Sequence, residues 1–267
     1  MAMSTVVNNG TALVTGASSG IGAVYADRLA RRGYDLILVA RSGDKLKELA
    51  ARITDETGRS VETLSADLTK TEDLARVEQV LRTDASITLL VNNAGVGATA
   101  PLLQSDIAKM EAMVELNVTG PMRLTYAVAP AFVSRGTGTI INIASIVAIA
   151  PEVLNGVYGG SKAFILAFSQ SLHHELADKG VRVQAVLPGA TATDFWDAAG
   201  LPVGHLPSEI VMSATDMVEA ALSGLDQGEL ITIPALPNVA DWNAFDAARL
   251  ALGPNLSHAA PAARYSV

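Results

Sequence analysis

Short runs rich in apolar residues alternate along this chain with longer stretches whose apolar positions recur every three or four residues. The first kind predicts buried strands at Thr11–Thr15, Tyr34–Ala40, Ser60–Leu64, Thr88–Val91, Thr139–Ile143, Val181–Leu187 and Glu229–Ile233. The second predicts helices from the segment after Gly22 to Arg32, at Asp44–Thr57 and Thr71–Arg82, from Ser105 to about Val133, from Tyr158 to about Lys179, and at Asp216–Leu225. Strand and helix in strict succession predict a doubly wound α/β fold, one parallel sheet with helices on both faces. A single domain over residues 10–237 is expected. A tail, 1–9, precedes it, and an Ala- and Pro-rich tail, 238–267, follows with one amphipathic piece from Trp242 to Leu250.

The polar and glycine clusters fall where the predicted strands end, which is where ligands sit in folds of this kind. After the first strand comes Gly16-Ala17-Ser18-Ser19-Gly20-Ile21-Gly22. Glycines there let the backbone approach a pyrophosphate, and a helix N-terminus presents unpaired N–H groups and partial positive charge to it. Within a strand–turn–helix–strand unit the pattern predicts a dinucleotide site, although the spacing is Gly-x-x-x-Gly-x-Gly and not the commoner Gly-x-Gly-x-x-Gly.

Composition narrows the function. Hydrophobic residues are 49% and charged ones 17%, so a large core is available, and the net charge of -8 disfavours nucleic acid and anionic membranes as partners. No cysteine is present, which removes thiolate chemistry, and the adjacent His173 and His174 point about 100° apart on a helix, so no metal site is expected. Neither a secretory leader nor a span of about 18 apolar residues is visible, and a cytoplasmic protein is expected.

Tyr158 and Lys162 stand four apart at the head of a long helix, one turn from each other on one face. A Tyr alone, with a pKa of about 10, is a poor proton donor, and a neighbouring cation lowers that value. Taken alone, the pair reads first as a surface contact, since a Tyr and a Lys at this spacing arise by chance in many helices. Together, Thr15–Gly22, Asn92-Asn93-Ala94-Gly95, Asn117, Ser145, Tyr158-x-x-x-Lys162 and Pro188-Gly189 resemble the short-chain dehydrogenase/reductase family in order and spacing, over roughly Gly10 to Pro234.

That resemblance implies a Rossmann-type sheet of about seven strands, a nicotinamide cofactor and a homo-oligomer, dimer or tetramer. It implies that Tyr158 exchanges a proton with the substrate oxygen while hydride passes between substrate and cofactor. Lys162 would lower the Tyr158 pKa and hold the nicotinamide ribose, Ser145 would anchor the substrate oxygen, and Asn117 would hold a water joining Lys162 to solvent. Cofactor contacts are implied for Gly16, Ser18, Ser19, Gly20, Ile21, Gly22, Arg41, Ser42, Asp67, Leu68, Asn93, Ala94, Gly95, Tyr158, Lys162, Pro188, Gly189, Thr191 and Thr193. Asp67 reads otherwise as a turn or N-cap carboxylate, Ser145 as a cap and Asn117 as a mid-helix side chain in solvent.

The predicted second strand ends in Ala40-Arg41-Ser42, with no carboxylate before Asp44. A guanidinium and a hydroxyl there suit a 2'-phosphate, so NADP(H) is expected, with NAD(H) the alternative. Phe195, Trp196, Leu201 and Val203 predict a lid over an apolar pocket. Val147 and Val153, with Ile146, Pro151 and Leu154, predict its other wall; neither wall carries Arg or Lys. The substrate side is therefore assigned to Ser145, Val147, Val153, Tyr158, Phe195 and Trp196, and the substrate to neutral or apolar carbonyl compounds and alcohols. The alternatives are an NAD-linked alcohol dehydrogenase and, in another class, a dinucleotide-sensing regulator that has no need of a proton-transfer set.

Overall fold

The computed structural model describes residues 8–265; most of the expected N-terminal tail lies outside them. These residues divide into two compact units, one ending at Pro234 and one beginning at Ala235. In the first unit β1 (Thr11–Thr15), α1 (Gly20–Arg31), β2 (Asp35–Ala40), α2 (Gly43–Thr57), β3 (Val61–Ser65), α3 (Thr71–Thr83) and β4 (Ile87–Asn92) alternate as expected. After β4 come α4 (Ile107–Val114), a π-helical segment (Glu115–Thr119), α5 (Gly120–Arg135) and β5 (Gly138–Ile143). The unit continues with α6 (Gly156–Leu176), β6 (Val181–Val186), β7 (Thr191–Ala192), α7 (Phe195–Ala199), β8 (Met212–Ser213), α8 (Ala214–Asp226) and β9 (Ile231–Thr232).

Seven strands form one parallel sheet in the order β3-β2-β1-β4-β5-β6-β9. The order reverses between β1 and β4, which opens a crevice at their carboxyl ends. Each central strand is buried on both sides: Ala12, Val14, Leu36, Leu38, Leu89 and Val91 face one core with Tyr25, Leu29, Ile53 and Val218 from α1, α2 and α8. Leu13, Ile37, Val39 and Leu90 face the other, with Leu74, Val77, Leu81, Leu124, Val128 and Phe132 from α3 and α5. Period two in the strands and the three-to-four spacing in the helices thus meet as two apolar layers, each fully buried aliphatic side chain contributing about 1.5–3 kcal/mol.

Departures from the predicted elements cluster at edges. The last strand is only Ile231–Thr232, because it is an edge strand bounded by Pro234 and meets β6 only at Ala185 and Val186. The predicted helix from Ser105 begins at Ile107, where the Asp106 side chain accepts from the Ala108 N–H. That helix is interrupted by the π-helical turn containing Asn117. In the second unit α9 (Val239–Ala251) starts three residues before Trp242, capped by Asn238 accepting from Ala240.

Two buried carboxylates fasten the helices of each layer. Asp27 on α1 accepts from Arg28, Arg31 and Arg52, the last on α2, and Glu78 on α3 accepts from Arg82 and from Arg123 on α5. Burial alone would raise both pKa values, but the guanidinium hydrogen bonds outweigh it and hold both below the ordinary range. A carboxylate depressed in this way contributes stability above its unfolded pKa of about 4 and loses it as pH falls further. Asp27→Asn should therefore lower the melting temperature at pH 7, with the difference from the wild-type protein shrinking below about pH 4; a difference independent of pH would contradict the assignment.

Candidate active site

The glycine turn between β1 and α1 is shaped by close approach. Gly16 has φ +66°, and a Cβ there would lie 2.8 Å from the Ala94 Cα; a Cβ on Gly22 would lie 2.3 Å from the Gly16 carbonyl oxygen. Only glycine fits either place. Ser19 is the residue before α1, exposed and with no side-chain bond to the helix, and the first turn contains no acidic residue. The leading N–H groups of α1 are thus not met by a cap, which is what a phosphate-bearing ligand requires. Ser18 and Ile21 are half-buried beside the turn, and the Thr193 methyl would stand 3.1 Å from a Cβ on Gly20.

Thr15, read from the sequence as the end of a strand and the first residue of the glycine motif, welds this turn to the next. Its hydroxyl accepts from the N–H groups of Asn93 and Ala94, both at 3.0 Å, and donates to the Val91 carbonyl. Asn93 returns the contact by donating its amide to the carbonyls of Thr15 and Gly16. The backbone then passes between two functional candidates: a Cβ on Gly95 would lie 3.1 Å from Asn117 Oδ1 and 3.5 Å from Lys162 Nζ.

Asn117 is 1% exposed, so the reading of a solvated mid-helix residue is replaced. Its Oδ1 accepts from the Val96 N–H at 3.0 Å, and its Nδ2 donates to the Val96 carbonyl at 2.8 Å and to Ser161 Oγ at 3.1 Å. The π-turn swings this residue inward, and such turns recur at functional sites. Nothing in the apolar spacing marks that turn, because the helix continues on either side of it.

Tyr158 and Lys162 lie on α6, whose start is fixed by Asn155. The Asn155 Oδ1 accepts from the N–H groups of Val157 and Tyr158, while its Nδ2 donates to the Ala100 carbonyl and to Ser105 Oγ. A polar residue just before an apolar-faced helix is the ordinary sequence signal for such a cap. Both functional candidates are buried, at 5% and 6% exposed. Lys162 Nζ donates to the Ile143 carbonyl at 2.9 Å and stands 6.0 Å from the centre of the Tyr158 ring.

Burial dominates the electrostatics of the pair. Tyr158 is pushed up to about 12 by burial, with a Ser145 hydrogen bond opposing the shift. The Lys162 pKa is itself lowered to about 8, also by burial. Loss of water penalises phenolate and ammonium alike, yet a lysine at about 8 is still mostly charged at neutral pH, so the pair there is a phenol beside an ammonium.

Ser145 ends β5 as a cap as well as a neighbour of the phenol: its Oγ accepts from the Val147 N–H and donates to the Pro188 carbonyl at 3.4 Å. That carbonyl also accepts from the Ile146 N–H, tying the Pro188-Gly189 turn to the Ser145 loop. Thr191 is buried with its hydroxyl donating to Gly189, and Thr193 lies at the glycine turn. Further along the crevice, Arg41 is exposed and Ser42 half-buried after β2. Asp67 closes its own turn, accepting from the Thr69 N–H and hydroxyl, and is held below the ordinary range chiefly by that hydroxyl. Leu68 beside it is buried.

The two expected aromatic lid residues divide their work. The Phe195 ring is 5.8 Å from the Tyr158 ring, and an apolar cluster gathers Ala98, Met110, Met113, Val147 and Tyr158 with Phe195 against them. Trp196 is 8% exposed and its indole N–H donates to the Thr191 carbonyl, so it anchors α7. Val153 is 58% exposed and sits away from this cluster, whereas Val147 is within it.

Sequence reasoning missed a buried polar chain beneath the site. Asn92 Nδ2 donates to Asn142 Oδ1 and to Thr125, Asn142 Nδ2 donates to Ser169 Oγ, and Ser169 donates to the Ile165 carbonyl. Asn142 stands in the run Ile140-Ile141-Asn142-Ile143, where a lone polar residue in a buried strand is itself a signal. With Ile143 binding Lys162, β5 grips α6 at two points seven residues apart.

The family model for the short chain dehydrogenase matches residues 10–201. The chain belongs to the short-chain dehydrogenase/reductase family and is an oxidoreductase of that family, whose members use nicotinamide cofactors. A short-chain dehydrogenase of Sphingobium yanoikuyae solved in complex with NADPH is 50% identical, with a TM-score of 0.94 over 96% of this chain and 100% of that one. A bulky-bulky ketone specific alcohol dehydrogenase of Comamonas testosteroni is 45% identical, with a TM-score of 0.90 over 98% and 100%. An uncharacterised oxidoreductase of Staphylococcus saprophyticus is 34% identical over 83% of this chain and 93% of its own. A very-long-chain 3-oxoacyl-CoA reductase of Anas platyrhynchos is 36% identical over 68% of this chain, which spans 60% of that longer protein.

Ser169→Ala would leave the buried Asn142 amide without its acceptor, at a cost of about 1–3 kcal/mol. The expected result is a lower urea midpoint with unchanged slope; an unchanged midpoint would show that the chain of amides does not bear on stability.

Proposed function

We propose that this protein reduces a neutral, apolar ketone to an alcohol, with NADPH as the preferred cofactor and Tyr158 as the proton donor. The observation that carries the reading is the buried pair itself: a phenol with a pKa of about 12 beside Ser145, and an ammonium one helical turn away. A phenol that stays protonated throughout the physiological range has a proton to give to a carbonyl oxygen becoming an alkoxide, whose own affinity for the proton is higher still.

The cofactor supplies the hydride. The cradle formed by Gly16, Gly20 and Gly22 at the uncapped start of α1 fits its pyrophosphate, and Arg41 and Ser42, with no acidic residue between β2 and Asp44, suit a 2'-phosphate. The NADPH complex of the Sphingobium relative supports that preference. Ser18, Ser19, Ile21, Asp67, Leu68, Asn93, Ala94, Gly95, Pro188, Gly189, Thr191 and Thr193 border the same crevice by their place at strand ends. Lys162 holds the ribose end and keeps positive charge near the phenol.

Ser145 fixes the substrate oxygen against Tyr158, while Asn117, clamped to Val96, keeps the segment 95–96 in place beside Lys162. Val147 and Phe195 give the pocket its apolar walls. Two bulky substituents on the carbonyl are the substrate class supported by the ketone specificity of the Comamonas relative. A cytoplasmic homo-oligomer belongs to the same reading, on the family resemblance.

Tyr158→Phe is predicted to reduce NADPH-dependent turnover of a diaryl ketone by at least 10²-fold, the low end of what a positioned general acid contributes, while NADPH still binds. Fluorescence titration of the same variant should give tighter binding of NADPH than of NADH. Persistent turnover would remove Tyr158 from the reaction, and stronger NADH binding would favour the NAD-linked alternative. Bound NADPH with no carbonyl reduced by the wild-type protein would favour a dinucleotide-sensing regulator.

A further inference from the structure

The place of the Phe195 ring is set by an absence of side chain elsewhere. A Cβ built on Gly97 would lie 2.3 Å from Phe195 Cζ and 3.0 Å from both Cε1 and Cε2, so the ring end occupies the space that any other residue at 97 would fill. Real Cβ atoms do not approach a ring so closely; one of the two must move. The φ of Gly97 is not in the left-handed region, so backbone conformation does not demand glycine there. What demands it is the ring.

The same segment holds the other end of α7. Thr99 donates both its N–H and its hydroxyl to the Ala199 carbonyl, at 3.3 and 2.9 Å. Trp196, through Thr191, fixes the opposite side of the helix. With both ends of α7 held, the Phe195 ring is seated with one edge in the Gly97 recess and 5.8 Å from Tyr158, inclined at 46°. The residues around it, Ala98, Met113 and Val147, are apolar and buried.

We infer that Gly97 and Phe195 act as one specificity-determining unit: the recess at 97 admits the ring, and the seated ring sets how large a substituent fits beside the Tyr158 hydroxyl. This rests on the proposed role of Tyr158. It goes further in assigning substrate size selection to a residue that carries no side chain and lies outside the aromatic lid.

The test is a double-substitution cycle on the full-length protein with NADPH, reading the ratio of kcat/KM for a diaryl ketone to that for a methyl aryl ketone. Phe195→Ala should raise the ratio by about tenfold, the scale of one or two apolar groups in a pocket. Gly97→Ala should change the ratio by a similar factor in the wild-type background and by less than about twofold once Phe195 is already Ala, because its effect passes through the ring. Equal effects of Gly97→Ala in both backgrounds, or no change of ratio in Phe195→Ala, would overturn the inference. If Gly97→Ala does not fold, Phe195→Leu replaces it: an intermediate ratio supports the unit, and the wild-type ratio overturns it. Failure of the wild-type protein to reduce either ketone would instead overturn the proposed reaction, and this inference with it.

Discussion

A single buried ammonium organises the site. Lys162 lies in the seam between β5 and α6 with its charge directed at the Ile143 carbonyl, and removing that charge from water is costly unless it is met. The strand end that meets it is also the one that carries Asn142, bound to Ser169 further down α6, and Ser145, beside the phenol. Moving β5 relative to α6 would therefore loosen the ammonium, the amide chain and the Ser145–Tyr158 contact together. The two apolar layers hold the sheet, but this polar seam fixes where the reactive groups stand.

The remaining parts reach the seam through backbone. Asn155 ties the start of α6 to the segment at Ala100, Asn117 clamps Val96, and Thr15 joins the glycine turn to Asn93. Each of these polar side chains binds main-chain N–H and carbonyl groups, so that loops at the strand ends are positioned almost as firmly as the strands. A crevice built this way opens along the switch between β1 and β4, with α7 setting Phe195 beside Tyr158.

Much of this was legible in the amino-acid pattern, for physical reasons that differ by element. Buried parallel strands are apolar on both faces, so β1, β2 and β4 announce themselves as short apolar runs. Edge strands face solvent and make few pairs, so β9 shrank to two residues. Glycines at 16 and 22 are visible because close approach excludes every other residue. Asn117 was located by resemblance, while its π-turn was not, since a bulge in a helix leaves the apolar spacing on both sides intact. Asn142 and Ser169 escaped because a polar residue in a buried run signals a partner without naming it, and that partner lies 27 residues away. The sign of the Tyr158 shift escaped for a related reason: spacing places a cation one turn away but does not reveal that both groups are dry.

If the ammonium of Lys162 governs the reaction while Tyr158 remains a phenol, the rate of carbonyl reduction has a defined dependence on pH. A lysine lowered to about 8 is charged below that value and neutral above it, whereas the phenol, raised to about 12, stays protonated across the same range. The account predicts that NADPH-dependent kcat/KM for a diaryl ketone is level from about pH 6 to 7 and falls as a single proton is lost near pH 8. A rate that stays level to pH 10, or one that rises with pH in that interval, would contradict it.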